Sequence, residues 1–140
     1  MVILKAAAGE LIQLYGDGQN VRDRLNVADH VNALLLTATQ GTLGRAYFVG
    51  GHEERTNKQV LEAICADLDQ LVPEDAPRSH LITLVKNRPG HECRSAIDPT
   101  RIKDEPGWQP RHSFETGLAA KVRLSLEHKG WCSQVRDWGR

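Results

Sequence analysis

The chain has 140 residues, 18 lysines and arginines against 18 aspartates and glutamates, and 40% hydrophobic residues. That length suits a single domain over residues 1–140 that buries about two-thirds of its unfolded surface. Balanced charge argues against nucleic acid or a membrane surface as partner, and apolar runs such as 6–8 and 33–36 are far too short to span a bilayer.

In chain order, Met1 to Gly9 is an alanine-rich helix that Gly9 closes. Leu11 to Tyr15 and Val21 to Val27 are two extended pieces around Gly16-Asp17-Gly18, glycines that let the backbone reverse. Asp29 is an N-cap candidate for a helix carrying Val31, Leu34, Leu35 and Ala38 at helical spacing and ending near Gly41. Arg45 to Val49 is a strand candidate between Gly44 and Gly50-Gly51. Thr56 and Gln59 form a capping box before a long helix marked by Val60, Leu61, Ile64, Leu68 and Leu71, and Pro73 stops it.

Glu74 to Ser79 reads as a polar surface loop, and Leu81 to Val85 as another strand. Past the Asn87 to His91 turn, Asp98 and Pro99 supply an N-cap and first-turn proline for a short helix ending before Pro106. Ser113 caps a final helix with Phe114, Leu118, Val122 and Leu126 along one side, and residues 130–140 show no clear period. Short strands mixed with capped helices give an α/β fold, a small mixed lobe. Cys65, Cys93 and Cys132, odd in number and far apart, read as reduced thiols in a cytoplasmic protein without a signal peptide.

The chemistry of the chain centres on its arginines. Arg22 and Arg24 emerge between a glycine turn and a helix start, where a planar fork of donors is placed to clamp a phosphate; a solvated surface arginine is the alternative. The rigid Arg88-Pro89-Gly90-His91 turn follows a strand, so Arg88 and His91 can face one ligand beside Arg22 and Asn57, and it reads equally well as an ordinary turn. Gly16-Asp17-Gly18 is not a dinucleotide loop, since no long helix follows the glycines in the required spacing. His52-Glu53-Glu54 and His91-Glu92-Cys93 lack the second pair that a metal site needs, and no nucleophile motif is present, so no catalytic or metal residues are assigned.

Four stretches, in order and spacing, resemble dTDP-glucose 4,6-dehydratases: Tyr15 to Asp23 followed by Val27-Ala28-Asp29-His30; Val49 to His52 with Asn57; Asn87 to His91 leading to Ala96-Ile97-Asp98; and Pro106 to Pro110 with Phe114 to Gly117. The resemblance covers the family's C-terminal part only. It implies the substrate-binding domain of an extended short-chain dehydrogenase/reductase lacking its Rossmann domain, with Gln13, Leu14, Tyr15, Arg22, Asn57, Asn87, Arg88, Pro89, Gly90 and His91 holding a nucleotide diphosphate sugar and the two arginines converging on the diphosphate. Arg24, Asn26, Phe48, Asn87 and Ser95 depart from the family's usual Trp, Tyr, Asn, Asp and Tyr.

The family's Gly-rich NAD loop and Tyr-x-x-x-Lys pair are absent from these residues, so no cofactor is expected in this chain, NAD belonging to the full-length family, and no dehydratase activity is expected from it alone. Three readings follow: a dTDP-sugar-binding fragment, a subunit complementing a separate Rossmann-domain chain, or a non-catalytic remnant that self-associates as a homodimer through an exposed apolar patch.

Overall fold

The computed structural model describes residues 2–87 and 89–138. The residues cluster into two compact units. The first comprises residues 1–20, 56–91 and 118–140, and the second residues 21–55 and 92–117. Each has its own core.

In the first unit, helix α1 (Val2–Ala7) ends at Gly9, whose φ of 69° is the left-handed conformation expected of a closing glycine. Strand β1 (Ile12–Tyr15) pairs in parallel with β4 (Ile82–Val85), Ile12 opposite Ile82 and Tyr15 opposite Val85. Helix α3 (Asn57–Leu71) starts at the predicted box, the Gln59 amide donating to Thr56 Oγ1 and the Thr56 amide to Gln59 Oε1. Its buried stripe of Leu61, Ile64, Cys65 and Leu68 packs with Ala6, Ile12, Leu14, Leu81 and Val122. Val122 lies on helix α5 (Phe114–Glu127), where the Ser113 hydroxyl accepts from the Thr116 amide as a cap. Burial pushes the Cys65 thiol up, as for an inert core cysteine. Helix α6 (Lys129–Trp138) occupies the tail whose sequence had shown no period.

The stretch read as a polar surface loop is built differently. It holds two 3₁₀ turns, Pro73–Asp75 and Arg78–Leu81, and Arg78, the first residue of the second, is only 1% exposed. Its Nη1 donates to Asp69 Oδ1 at 2.9 Å and to the Val72 carbonyl at 2.8 Å, and its Nη2 to Asp75 Oδ2 at 3.1 Å. An arginine can be buried when the two ends of its fork are spent in this way, here largely on the C-terminal end of α3, even though the buried Nε has no partner among the described residues.

The second unit holds strand β2 (Val21–Asp23), central in a sheet ordered β3-β2-β5 with β3 (Glu54–Thr56) and β5 (Arg94–Ser95). Its core joins Ala33, Ile102 and Trp108, with Leu25, Leu36, Tyr47 and Val49 packed against them. Helix α2 (Val27–Gln40) begins three residues earlier than a cap at Asp29 would place it. Asn26 is the cap, its Oδ1 accepting from the Ala28 amide at 2.8 Å, so the extended piece expected as far as Val27 stops at Asp23. The expected buried stripe of α2 is also reversed: Asp29 and Ala33 are buried, while Val31, Leu34 and Leu35 are exposed. Helix α4 (Thr100–Asp104) has Pro99 at its cap position, and Asp98 supports it one step earlier by accepting from the Thr100 amide. Arg45 to Val49 forms no ladder, because the described residues offer it no neighbouring strand.

Replacing Arg78 with alanine should destabilise the protein by about 3 kcal/mol, since it leaves Asp69 and the Val72 carbonyl facing a hole. Urea unfolding of the variant measures this.

Candidate functional site

Parallel pairing sends both β1 and β4 toward the same end, so the loops that follow them are neighbours. The Gly16 amide donates to the Val85 carbonyl at 2.9 Å, extending the ladder one residue into the glycine turn. At Gly16 the φ of 63° favours glycine, and an added Cβ would lie 3.2 Å from the Asn87 side chain, a tight contact. Gly18 (φ 74°) is more constrained, since a Cβ there would come within 2.8 Å of Leu14. The same turn carries the start of α3: the Lys58 amide donates to the Gly18 carbonyl and the Asn57 amide to the Asn20 carbonyl, both at 3.0 Å.

Four predicted residues, Gln13, Tyr15, Asn57 and Asn87, therefore belong to one strand end, the glycine turn after it, the helix start bonded to that turn and the loop after the paired strand. Gln13 is exposed, Tyr15 and Asn57 half-buried. Leu14 points the other way, into the core at 3% exposure, so only its backbone can meet a ligand. In the second turn, Asn87 Oδ1 and His91 Nδ1 are 2.8 Å apart, which closes the Asn87 to His91 loop, and Pro89 and Gly90 are exposed between them. Arg88 lies outside the described residues.

Arg22, on β2, belongs to the second unit. Its Nη1 donates to the Val21 carbonyl at 2.7 Å and its Nη2 to the Glu92 carbonyl at 2.9 Å, so part of its fork already positions the approach to β5. Two places along the chain, burial and then the Arg22 charge hold the Arg24 guanidinium below its ordinary pKa.

Between these arginines, the Asp23 carboxylate accepts from the Gly51 amide at 2.8 Å and the Glu53 amide at 2.9 Å. This fixes the Val49-Gly50-Gly51-His52 stretch and explains its glycines: a Cβ on Gly50 would come within 2.6 Å of Asp23 Oδ2, and one on Gly51 within 2.2 Å of the Arg24 carbonyl. Asp29 does similar work from inside α2. Its two oxygens each sit 3.0 Å from His112, one accepting from the amide and one beside Nδ1. Burial alone would push the Asp29 carboxyl up, but the His112 amide and imidazole and the Arg111 amide outweigh it and hold it below the ordinary carboxylate range. Sequence reasoning assigned these residues to motifs without seeing that Asp23 and Asp29 are the groups holding them.

Among the described residues, no cluster of three His, Cys, Asp or Glu side chains converges as a metal site, and no helix is long and apolar enough to cross a membrane. The Gly16-Asp17-Gly18 turn does not fit a dinucleotide either: its Gly18 amide is spent on the Tyr15 carbonyl and the Gln19 amide on Asp17 Oδ1.

This α/β arrangement, with loops at the carboxyl ends of parallel strands, is that of the extended short-chain dehydrogenases/reductases that act on nucleotide sugars. The chain belongs to the family described as GDP-mannose 4,6 dehydratase, whose model matches residues 1–121. It is 46% identical over 139 residues to a dTDP-glucose 4,6-dehydratase of Xanthomonas campestris pv. campestris, a match covering 98% of this chain and 40% of the relative. The fold is similar to that of a dTDP-glucose 4,6-dehydratase from Streptomyces venezuelae solved with NAD bound, with TM-score 0.84, 32% identity, and 93% of this chain and 38% of that chain covered. It is also similar to a UDP-glucose 4-epimerase of Thermotoga maritima solved with UDP-glucose, with TM-score 0.77, 26% identity, and 90% and 38% covered. The chain thus spans about two-fifths of the length of the relatives it matches, in their C-terminal part.

Because the Asp29 carboxyl is depressed in the fold, its stabilising contribution is present above the unfolded-state pKa and is lost as pH falls through the folded value. Asp29→Asn should cost about 1–3 kcal/mol at pH 7 and flatten the acid limb of stability below about pH 4. Chemical denaturation at pH 3 to 7 checks both. Gly51→Ala should cost about 1–3 kcal/mol by forcing a methyl against the Arg24 carbonyl, and a thermal melt reads it directly.

Proposed function

We propose that this chain is the nucleotide-sugar-binding part of a dTDP-glucose 4,6-dehydratase, whose complete form converts dTDP-glucose to dTDP-4-dehydro-6-deoxy-glucose and water. The observation that carries this is the strand-end arrangement of β1 and β4, in a chain nearly half identical to such an enzyme along almost its whole length. In the first unit, Gln13, Tyr15, Asn57, Asn87 and His91 supply amide, phenol and imidazole groups for sugar and phosphate oxygens, and the Leu14, Pro89 and Gly90 backbones frame them. Arg88 and, in the second unit, Arg22 are assigned to the diphosphate by sequence resemblance alone; bidentate guanidinium bonds are the chemistry that diphosphate recognition uses.

The glycine turn after β1 does not favour a dinucleotide, because its Gly18 and Gln19 amides are already spent on the Tyr15 carbonyl and Asp17 Oδ1. The chain alone is therefore expected to bind but not to dehydrate. The UDP-glucose 4-epimerase of similar fold leaves uridine nucleotides as the competing ligand class. A second reading, in which the chain complements a separate Rossmann-domain polypeptide, is favoured by the exposed apolar side of α2.

Calorimetry with dTDP, dTDP-glucose and UDP-glucose tests the first reading. Saturable binding of the dTDP ligands is expected, and none at millimolar concentration would reject it. Arg22→Ala and Arg88→Ala should each weaken dTDP binding by about 1.5–3 kcal/mol. Arg22→Lys should recover only part of that, because an ammonium cannot hold two oxygens in one plane. Unchanged affinity in both alanine variants would remove the arginines from the site.

A further inference from the structure

The loop after β4 is closed by its own side chains. Asn87 stands two residues beyond the strand, and its carboxamide lies over the glycine turn of β1: a Cβ added to Gly16 would be 3.2 Å from Asn87 Cγ and Nδ2 and 3.3 Å from its Cβ. The Nδ2 end of the amide is thus seated on Gly16. The opposite end, Oδ1, is 2.8 Å from His91 Nδ1. A side chain at position 16 would displace this amide, so the glycine serves the histidine as well as the turn.

An amide oxygen can only accept, so the His91 ring carries its hydrogen on Nδ1. In a neutral imidazole the other nitrogen, Nε2, then keeps a lone pair and no hydrogen. Such a nitrogen accepts from a hydroxyl and has nothing to give to a phosphate oxygen. Aspartate, the residue the family usually carries at position 87, would act the other way, because its negative charge favours the protonated ring, whose Nε2 donates. The neutral amide at this position sets the direction of the hydrogen bond that the imidazole offers.

We infer that Asn87 is a positioning residue that fixes His91 as the Nδ1–H tautomer, and that His91 Nε2 thereby selects a hydroxyl of the bound nucleotide sugar and not its diphosphate. This rests on the nucleotide-sugar reading above and deepens it. A phosphate oxygen and a bare imidazole nitrogen are both acceptors and oppose each other. His91 is half-buried, so a ligand without the hydroxyl leaves a partly desolvated lone pair unpaired, which is how a site rejects an analogue lacking one donor. A nucleotide sugar carries such hydroxyls on the hexose and at the 3′ position of the deoxyribose.

The test records the imidazole nitrogen signals of the full chain labelled with 15N-histidine at pH 8, above the ordinary imidazole range, with His91→Gln assigning the signal. Wild type should show His91 in the Nδ1–H form. Asn87→Ala should return it to a mixture rich in Nε2–H, and Asn87→Asp should restore Nδ1–H at this pH, because a carboxylate also accepts. Asn87 is exposed, so the melt of Asn87→Ala should stay close to wild type. Saturation with dTDP-glucose should move the Nε2 signal of wild type. The same movement with dTDP, but not with its 3′-deoxy analogue, assigns the hydroxyl to the deoxyribose; movement with dTDP-glucose alone assigns it to the hexose. By calorimetry, Asn87→Ala should bind the hydroxyl-bearing ligand about three- to tenfold more weakly, the loss of roughly one neutral hydrogen bond, and the ligand lacking it within about twofold of wild type. Three outcomes would overturn the inference: an Nε2–H ring in wild type, an unchanged tautomer in Asn87→Ala, or an Nε2 signal that stays in place with every ligand bound. No calorimetric binding of any ligand by wild type would sink the nucleotide-sugar reading and the hydroxyl role with it, whereas binding with a motionless Nε2 signal would remove the hydroxyl role alone.

Discussion

Parallel pairing of β1 with β4 is the constraint on which the candidate site of the first unit depends. Antiparallel strands would put the glycine turn and the Asn87 to His91 loop at opposite ends. The parallel register puts both at the carboxyl ends, and the Gly16 to Val85 hydrogen bond locks them one residue beyond the strands. Helix α3 is then held to the turn by the Asn57 and Lys58 amides, which fixes where its positive end begins. A two-stranded sheet is too small to persist alone, and its stability comes from the α3 stripe and Val122 buried against Ile12 and Leu14.

Much of this was legible in the sequence because local rules and tertiary context agreed. The capping box at Thr56, the α3 stripe and the β4 strand all satisfy their own periodicity and face a core. The misreadings share a cause: each concerns a group whose partner lies outside the few residues that a local pattern reads. Asp29 looked like a cap because aspartate caps helices, but its oxygens serve His112, 83 residues away, and Asn26 takes the cap. Arg78 sat in a polar, proline-containing stretch that signals a loop. Its burial depends on Asp69 lying at the end of α3, which no local pattern displays.

The candidate site was legible to a lesser degree. Glycine spacing identified the turns, since positive φ and close approach demand glycine there. What spacing concealed was that Leu14 faces inward and that the arginine fork of Arg22 is partly spent on the Val21 and Glu92 carbonyls. An arginine so engaged is preorganised: its side-chain entropy is already lost to the fold, so a ligand meeting its remaining donors has less ordering to oppose.

The departures from the usual family pattern are best weighed on the same terms. Where the family usually carries an aromatic ring, this chain has Arg24, whose charge is opposed by burial and by Arg22. Holding two guanidinium groups this close costs free energy, a cost that falls when an anion arrives. Phe48 works in the opposite direction. An exposed phenyl ring in place of the family's usual asparagine gains nothing in water, and it stands between Tyr47 and Val49, which pack against the core. The two substitutions therefore act by different means, one through charge and one through an exposed apolar ring, and both belong to the second unit, whose core of Ala33, Ile102 and Trp108 is the smaller of the two.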